Sequence, residues 1–238
     1  MKTKFKFDSE FRPYKIEGDE VYIDDKLSDA ELIEDADAAT FKPLNHHFSS
    51  DAKHVFSGTK ILRGVSPASF RVLNELYAIG GKKVHYSFGW VPTADYKSFE
   101  ALDAGFWRGD YGIMFEGYAR DKNGIWFYSL TIGKPRILKS ADPESFKVLR
   151  CAFARDARRV FSAGLPVPKA DPASFKLITQ RYARDRSRIF YGDAELKGVD
   201  YDSFESVNAR KNQAKDKYHL YNGHRRVDAD GNLIQDQG

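Results

Sequence analysis

Phe153-Ala154-Arg155-Asp156-Ala157-Arg158-Arg159-Val160-Phe161 returns 29 residues later as Tyr182-Ala183-Arg184-Asp185-Arg186-Ser187-Arg188-Ile189-Phe190. Between the two copies lies Asp171-Pro172-Ala173-Ser174-Phe175, itself a 29-residue echo of Asp142-Pro143-Glu144-Ser145-Phe146. Working outward, Phe41, Phe70, Phe99, Phe146, Phe175 and Phe204 recur with gaps of 29, 29, 47, 29 and 29 residues. A fixed period of this length marks a repeat array, in which each unit buries its apolar surface only against its neighbours.

Each repeat starts with an aromatic, a small residue, a basic residue and Asp, as in Tyr118-Ala119-Arg120-Asp121; Gln213-Ala214-Lys215-Asp216 is a weaker copy. Unit starts fall near 14, 48, 77, 118, 153, 182 and 213. A short β-branched and aromatic run follows, such as Val55-Phe56, Ile125-Trp126-Phe127 or Leu220-Tyr221. Runs of this kind read as strands. A turn, often with Gly, and a second apolar point complete a predicted β-hairpin. The element before each Phe reads as a helix start, with Asp or Ser able to cap and Pro at the first helical position. An apolar residue stands three places after every Phe: Leu44, Leu73, Leu102, Leu149, Ile178 and Val207. On a helix that spacing shares one face. The expected fold is therefore α+β. It is a tandem array of about six 29-residue ββα repeats, with a terminal hairpin cap. The array would occupy residues 1–227 as a single domain, followed by a polar tail over 228–238. Open solenoid and closed ring both fit the period.

The 47-residue gap exceeds the period by 18. A partial extra copy of the repeat start over 106–117 and a longer hairpin after Trp126 account for it. Such departures from period often mark a binding face in repeat proteins. Trp107, Arg108, Tyr111, Met114, Phe115, Trp126 and Tyr128 supply residue types that anchor interfaces. Arg120, Arg155 and Arg184 occupy one repeat position, so a stacked array would align them. This makes them candidate partner-binding residues alongside the insertion. The matching row Asp51, Asp121, Asp156, Asp185 and Asp216 has a simpler reading, since Asp at the head of a turn accepts backbone N–H groups.

At 42% hydrophobic and 14% aromatic residues, the chain can bury a sizeable core. Its net charge of +4 hides an asymmetry: residues 1–50 carry 7 basic and 12 acidic side chains, and the rest is correspondingly basic. That modest total argues against nucleic acid as the partner. No apolar stretch reaches the length of a membrane span, so no membrane insertion is expected. Met1-Lys2-Thr3-Lys4-Phe5-Lys6 leads into no apolar core, so a cytoplasmic location is expected, with an envelope location if a signal was trimmed. Cys151 is the one cysteine, which excludes an intramolecular disulfide. The six histidines show no metal-ligand spacing, and neither a phosphate loop nor a nucleophile elbow occurs. No catalytic residue, metal, cofactor or small-molecule substrate is expected.

Tyr118-Ala119-Arg120-Asp121-Lys122-Asn123-Gly124-Ile125-Trp126-Phe127 and Gln213-Ala214-Lys215-Asp216-Lys217-Tyr218-His219-Leu220-Tyr221 resemble the DKNYY family of bacterial repeat proteins. The Asp-Pro-x-Ser-Phe elements are similar to it too, and the resemblance runs from about Tyr14 to Val227. Tyr77-Ala78-Ile79-Gly80 departs from the pattern by lacking the Asp, and Phe153 to Phe161 lacks the Lys-Asn pair. The resemblance implies a non-catalytic protein without cofactor. Some members resemble immunity proteins encoded beside bacterial toxins; others look envelope-associated or secretion-linked. The function expected is protein binding, in its most concrete form neutralisation of a cognate toxin by occlusion. The alternative is a structural or scaffolding role in the cell envelope.

Overall fold

The computed structural model describes residues 13–24, 29–109 and 112–234. Among them, regular structure consists of 29 short strands and one 3-10 turn, Pro67–Ser69. The first sheet has three antiparallel strands, Tyr14–Glu17, Glu20–Ile23 and Glu31–Leu32. Six four-stranded antiparallel sheets follow, over residues 42–61, 71–90, 100–137, 147–166, 176–195 and 205–227. Within each of these six, strands neighbour in chain order. The fourth sheet is interrupted by an extra hairpin, Trp107–Gly109 with Gly112–Met114. The chain falls into two compact units. One runs to Phe106 and resumes over Phe115–Ile137; the other comprises Trp107–Met114 and the chain from Leu138 onward.

The expected α+β class is overturned: no repeat closes with a helix. The predicted helix start is a single turn. Ser145 Oγ donates to Asp142 Oδ2 at 2.6 Å and Ser174 Oγ to Asp171 Oδ2 at 2.6 Å. The Asp side chain thus serves its turn, as an N-cap would, but the chain then goes extended. Lys147–Arg150 pairs with Phe153–Arg155, and Lys176–Leu177 with Tyr182–Arg184. The closing segment of each expected unit is therefore the first strand of the next sheet. The last repeat is likewise a complete four-stranded sheet, not a hairpin cap.

The apolar residue three places after each Phe now has another cause. In extended chain, positions i and i+3 point to opposite faces. Phe175 joins Phe153, Val160 and Val167 in one core, while Ile178 packs against the next, with Tyr182, Ile189 and Leu196. Phe41 and Leu44 divide in the same way between their two cores. These two closing strands thus each link two successive interlayer cores. Val207, in the last described sheet, is 58% exposed.

Sheets meet through matched small and large residues. Ala154 lies opposite Phe161, Ala183 opposite Phe190, Ala214 opposite Tyr221 and Ala119 opposite Trp126. All eight side chains are buried. The small residue of the repeat start is required because the aromatic ring facing the neighbouring sheet needs the space beside it. Phe175 meets Phe190 at 5.7 Å between ring centroids, and Phe204 meets Tyr221 at 5.8 Å. Tilted pairs at this separation suit the aromatic quadrupole.

Candidate interaction surface

Every four-stranded sheet has two turn edges, and the repeat's polar residues build one of them. At this aspartate edge, Asp156 Oδ1 accepts from the N–H groups of Arg158 and Arg159 at 2.7 and 2.6 Å, which fixes its own hairpin turn. Its Oδ2 accepts from the N–H of Asp142 at 2.9 Å, in the preceding Asp-Pro element. Ser145 Oγ, held by Asp142, accepts in return from Ala157 N–H at 3.0 Å. The clasp recurs with Asp185, Asp171 and Ser174, and with Asp216, Asp200 and Ser203. Asp121 with Asp95 and Ser98 repeats it in the first unit, and Asp51 with Asp37 and Thr40 is a variant. These five aspartates are buried. The turn reading of the Asp row is therefore what the structure contains. Each carboxylate is occupied by backbone donors, as a buried charge must be.

Burial alone would raise the Asp216 carboxyl. Hydrogen bonds from Asp200, Tyr221, Tyr218 and His219 outweigh it and hold the group down at about 2. Asp51 is lowered by the same balance, through His54, Asp37 and Lys53.

The second and third sheets meet without the clasp, because Gly80 stands where Asp is expected. Val65 and Phe70 close over it so tightly that a Cβ there would lie 2.6 Å from Phe70 Cδ2 and 2.7 Å from Val65 Cγ1. An apolar plug replaces the carboxylate.

The candidate arginines turn inward to the repeat framework. Arg120 makes a two-nitrogen contact with Glu100, its cross-strand partner. Arg155 donates to the Pro172 carbonyl of the next repeat. Arg184 lies 4.0 Å over the ring of Tyr201, and its Nε donates to Tyr201 Oη at 3.0 Å. Arg155 and Arg184 thus join one repeat to the next, while Arg120 braces its own sheet.

Two insertion candidates are core residues. Trp126 is 4% exposed and Tyr128 fully buried, packed with Tyr77, Tyr86 and Phe99. Lengthening this hairpin thickened the core, so neither side chain lies at the surface. Phe115 is half-buried and stacks on His46 at 4.6 Å and His47 at 5.1 Å. Burial, and secondarily the charge of His46, push His47 down to about 3, so it is neutral near pH 7. Among the described residues no His, Cys, Asp and Glu cluster could hold a metal ion.

Trp107, Arg108 and Met114 are brought together in the extra hairpin. Trp107 pairs with Met114 across it, and Arg108 with Ile113. The indole lies against Gly109 on its own hairpin and beneath the Arg181 guanidinium, 5.2 Å from the ring centroid. Gln180 Nε2 donates to the Arg108 carbonyl at 2.5 Å. The hairpin is thereby fastened to the Gln180-Arg181 turn, on the edge opposite the aspartates. Arg108 and Gly112 are exposed, and Trp107, Ile113 and Met114 half-buried. Tyr111 lies outside the described residues. Sequence reading missed Gln180 and Arg181 as the hairpin's anchors, for contacts across 72 residues leave no local pattern.

A four-stranded repeat built on a carboxylate clasp defines the class of this chain, and comparison with known families gives the group. The DKNYY family profile matches residues 14–193 and again 77–225, so the chain belongs to the DKNYY family. No curated protein matches it, and no solved structure does. None of the helices among the described residues is long and apolar enough to cross a membrane.

Proposed function

We propose that this protein is a non-catalytic protein-binding repeat module and that the 107–114 hairpin is its contact element. One observation carries the reading. The repeat's own polar residues are consumed in holding sheet to sheet, whereas the extra hairpin forms a separate two-stranded sheet that closes no repeat. It exposes a cation beside half-buried Ile113, Met114 and Trp107, and it is held from one side by Gln180 and Arg181. A rigidly mounted apolar and cationic projection is what a protein interface uses as an anchor, since little ordering remains to oppose binding. A non-catalytic role is supported by the clasp carboxylates, which backbone donors already occupy.

The concrete form we propose is neutralisation of a cognate toxin, with the hairpin occluding the toxin's working surface. Affinity capture from the native host, with mass spectrometry, tests it. A stoichiometric toxin-like partner retained by the intact chain and lost by a folded Arg108→Glu/Ile113→Asp variant supports the reading. Equal capture by that variant removes the hairpin from the interface. Capture of envelope components alone replaces neutralisation by scaffolding.

A further inference from the structure

The edge opposite the aspartates differs from it in charge. In the second unit this edge is made by the turns at 150–152, 163–164, 180–181, 192–193, 209–212 and 223–225. Backbone bonds tie these turns in pairs: Ala163 N–H to Ala152 O at 2.9 Å, Gly192 N–H to Arg181 O at 2.9 Å, and Gly223 N–H to Asn212 O at 2.8 Å. Tyr182 Oη bridges the sixth and seventh sheets here, donating to Asn212 O or Gly223 O, each at 2.8 Å. The edge carries Arg150, Arg181, Arg210, Lys211 and Arg225. Against these five cations the turns set one acid, Asp193. All but Arg181 are exposed. Among the described residues, Arg150, Arg181, Arg210, Lys211 and Arg225 form no ion pair.

The aspartate edge of the same unit places carboxylates beside three of its cations. Arg186 pairs with Asp171 at 3.3 Å, Lys217 with Asp200 at 3.0 Å, and Arg188 with Asp185 at 3.6 Å. Arg159 and Arg188 also donate to the carbonyls of Ser140 and Lys169. On one edge three cations pair with carboxylates; on the other Arg150, Arg181, Arg210, Lys211 and Arg225 have none.

We infer that this basic edge is a docking surface for an acidic protein face. The inference rests on the protein-binding reading above and names the partner's chemistry. Nucleic acid fits less well. Stacked sheets lie about 10 Å apart, so the cations come in widely spaced groups, whereas duplex DNA presents a charge about every 1.7 Å. The Trp107 ring is already covered by the Arg181 guanidinium. An acidic protein surface matches both the spacing and the apolar residues of the hairpin beside it.

Fluorescence anisotropy of labelled poly-L-glutamate and of an oligo-dT of equal charge, at low and moderate salt, tests the inference on the full chain. Poly-L-glutamate should bind, and Arg210→Glu/Lys211→Glu should weaken it at least tenfold. Arg186→Glu/Lys217→Glu, whose cations pair with Asp171 and Asp200 on the aspartate edge, should change it less than twofold. Equal loss in both variants, or tighter binding of oligo-dT, overturns the inference. The native partner separates this from the broader reading. A captured protein indifferent to Arg210→Glu/Lys211→Glu sinks the basic edge and leaves protein binding standing. Poly-L-glutamate binding with no captured partner does the reverse.

Discussion

The two turn edges of the second unit are built by the same strands and do opposite work. On the aspartate edge, each Asp recurs at every repeat and accepts from backbone donors, and Arg186 and Lys217 pair with carboxylates. On the opposite edge the residues vary from copy to copy: Cys151, Gln180 and Arg210 share no pattern, and the cations stand unopposed. Regularity in this chain marks what holds sheet to sheet. Irregularity marks surface that the fold does not need, and there a partner can be selected by sequence.

Breaking the regular edge should have the largest effect. Asp185→Ala removes the acceptor of three backbone N–H groups, those of Asp171, Ser187 and Arg188, beside the buried carboxylate's site. The expected loss is about 3 kcal/mol or more, read from urea unfolding. A loss within about 0.5 kcal/mol, typical of plain surface changes, would erase the distinction between the edges.

Gly80→Asp comes next. It restores the repeat pattern at the position that lacks it, yet it should destabilise by roughly 2 kcal/mol, because Val65 and Phe70 fill the space. A gain in unfolding midpoint would mean that the clasp can form there and the apolar plug is dispensable.

Acid should then weaken the regular edge without regard to the other. The Asp51 and Asp216 carboxyls are depressed in the folded chain, Asp216 to about 2 from 3.8. Their contribution is complete above about pH 4 and is lost as pH falls toward 2. Asp103 has the opposite sign. Burial raises it to about 7 despite hydrogen bonds from Tyr118 and Gly105, so ionising it opposes folding as pH climbs from 4 to 7. Urea midpoints between pH 2 and 8 should therefore fall steeply at the acid end. In Asp216→Asn that acid limb should be shallower.

The smallest stability effect belongs to the basic edge. Arg210→Glu/Lys211→Glu should leave the unfolding free energy within about 0.5 kcal/mol of the parent, since both side chains are exposed. A larger loss, measured in the same urea experiment, would make those cations part of the framework.

Much of the fold was legible from the chain. The period gave repeat number and spacing, and the β-branched runs after each Asp located one strand per sheet. The hairpin's second strand was expected from the apolar point after the turn, whereas the strands before the run were not visible, because two to four residues hold no measurable alternation. The helix expectation failed for a related reason. Asp-Pro-x-Ser satisfies the rules of a first helical turn, and a Phe with an apolar i+3 neighbour fits both a helix face and an extended strand between two cores. Only the cores on either side distinguish the two. At the candidate surface, the insertion was recognisable as a break in period. Its depth was not: Trp107 and Arg108 remain at the surface while Trp126 and Tyr128 are buried, although all four read alike in sequence.

By itself, the sequence determined the repeat, the turn role of its aspartates and membership of the DKNYY family. Each of these rests on local chemistry, an acceptor placed two or three residues from its donors, which recurs wherever the residues recur. The tertiary structure decided which cations are spent. Arg155 and Arg184 are taken up by the next repeat, while Arg210 and Lys211 are left to solvent. That choice depends on which groups other sheets bring within reach, and charge along the chain carries no record of it.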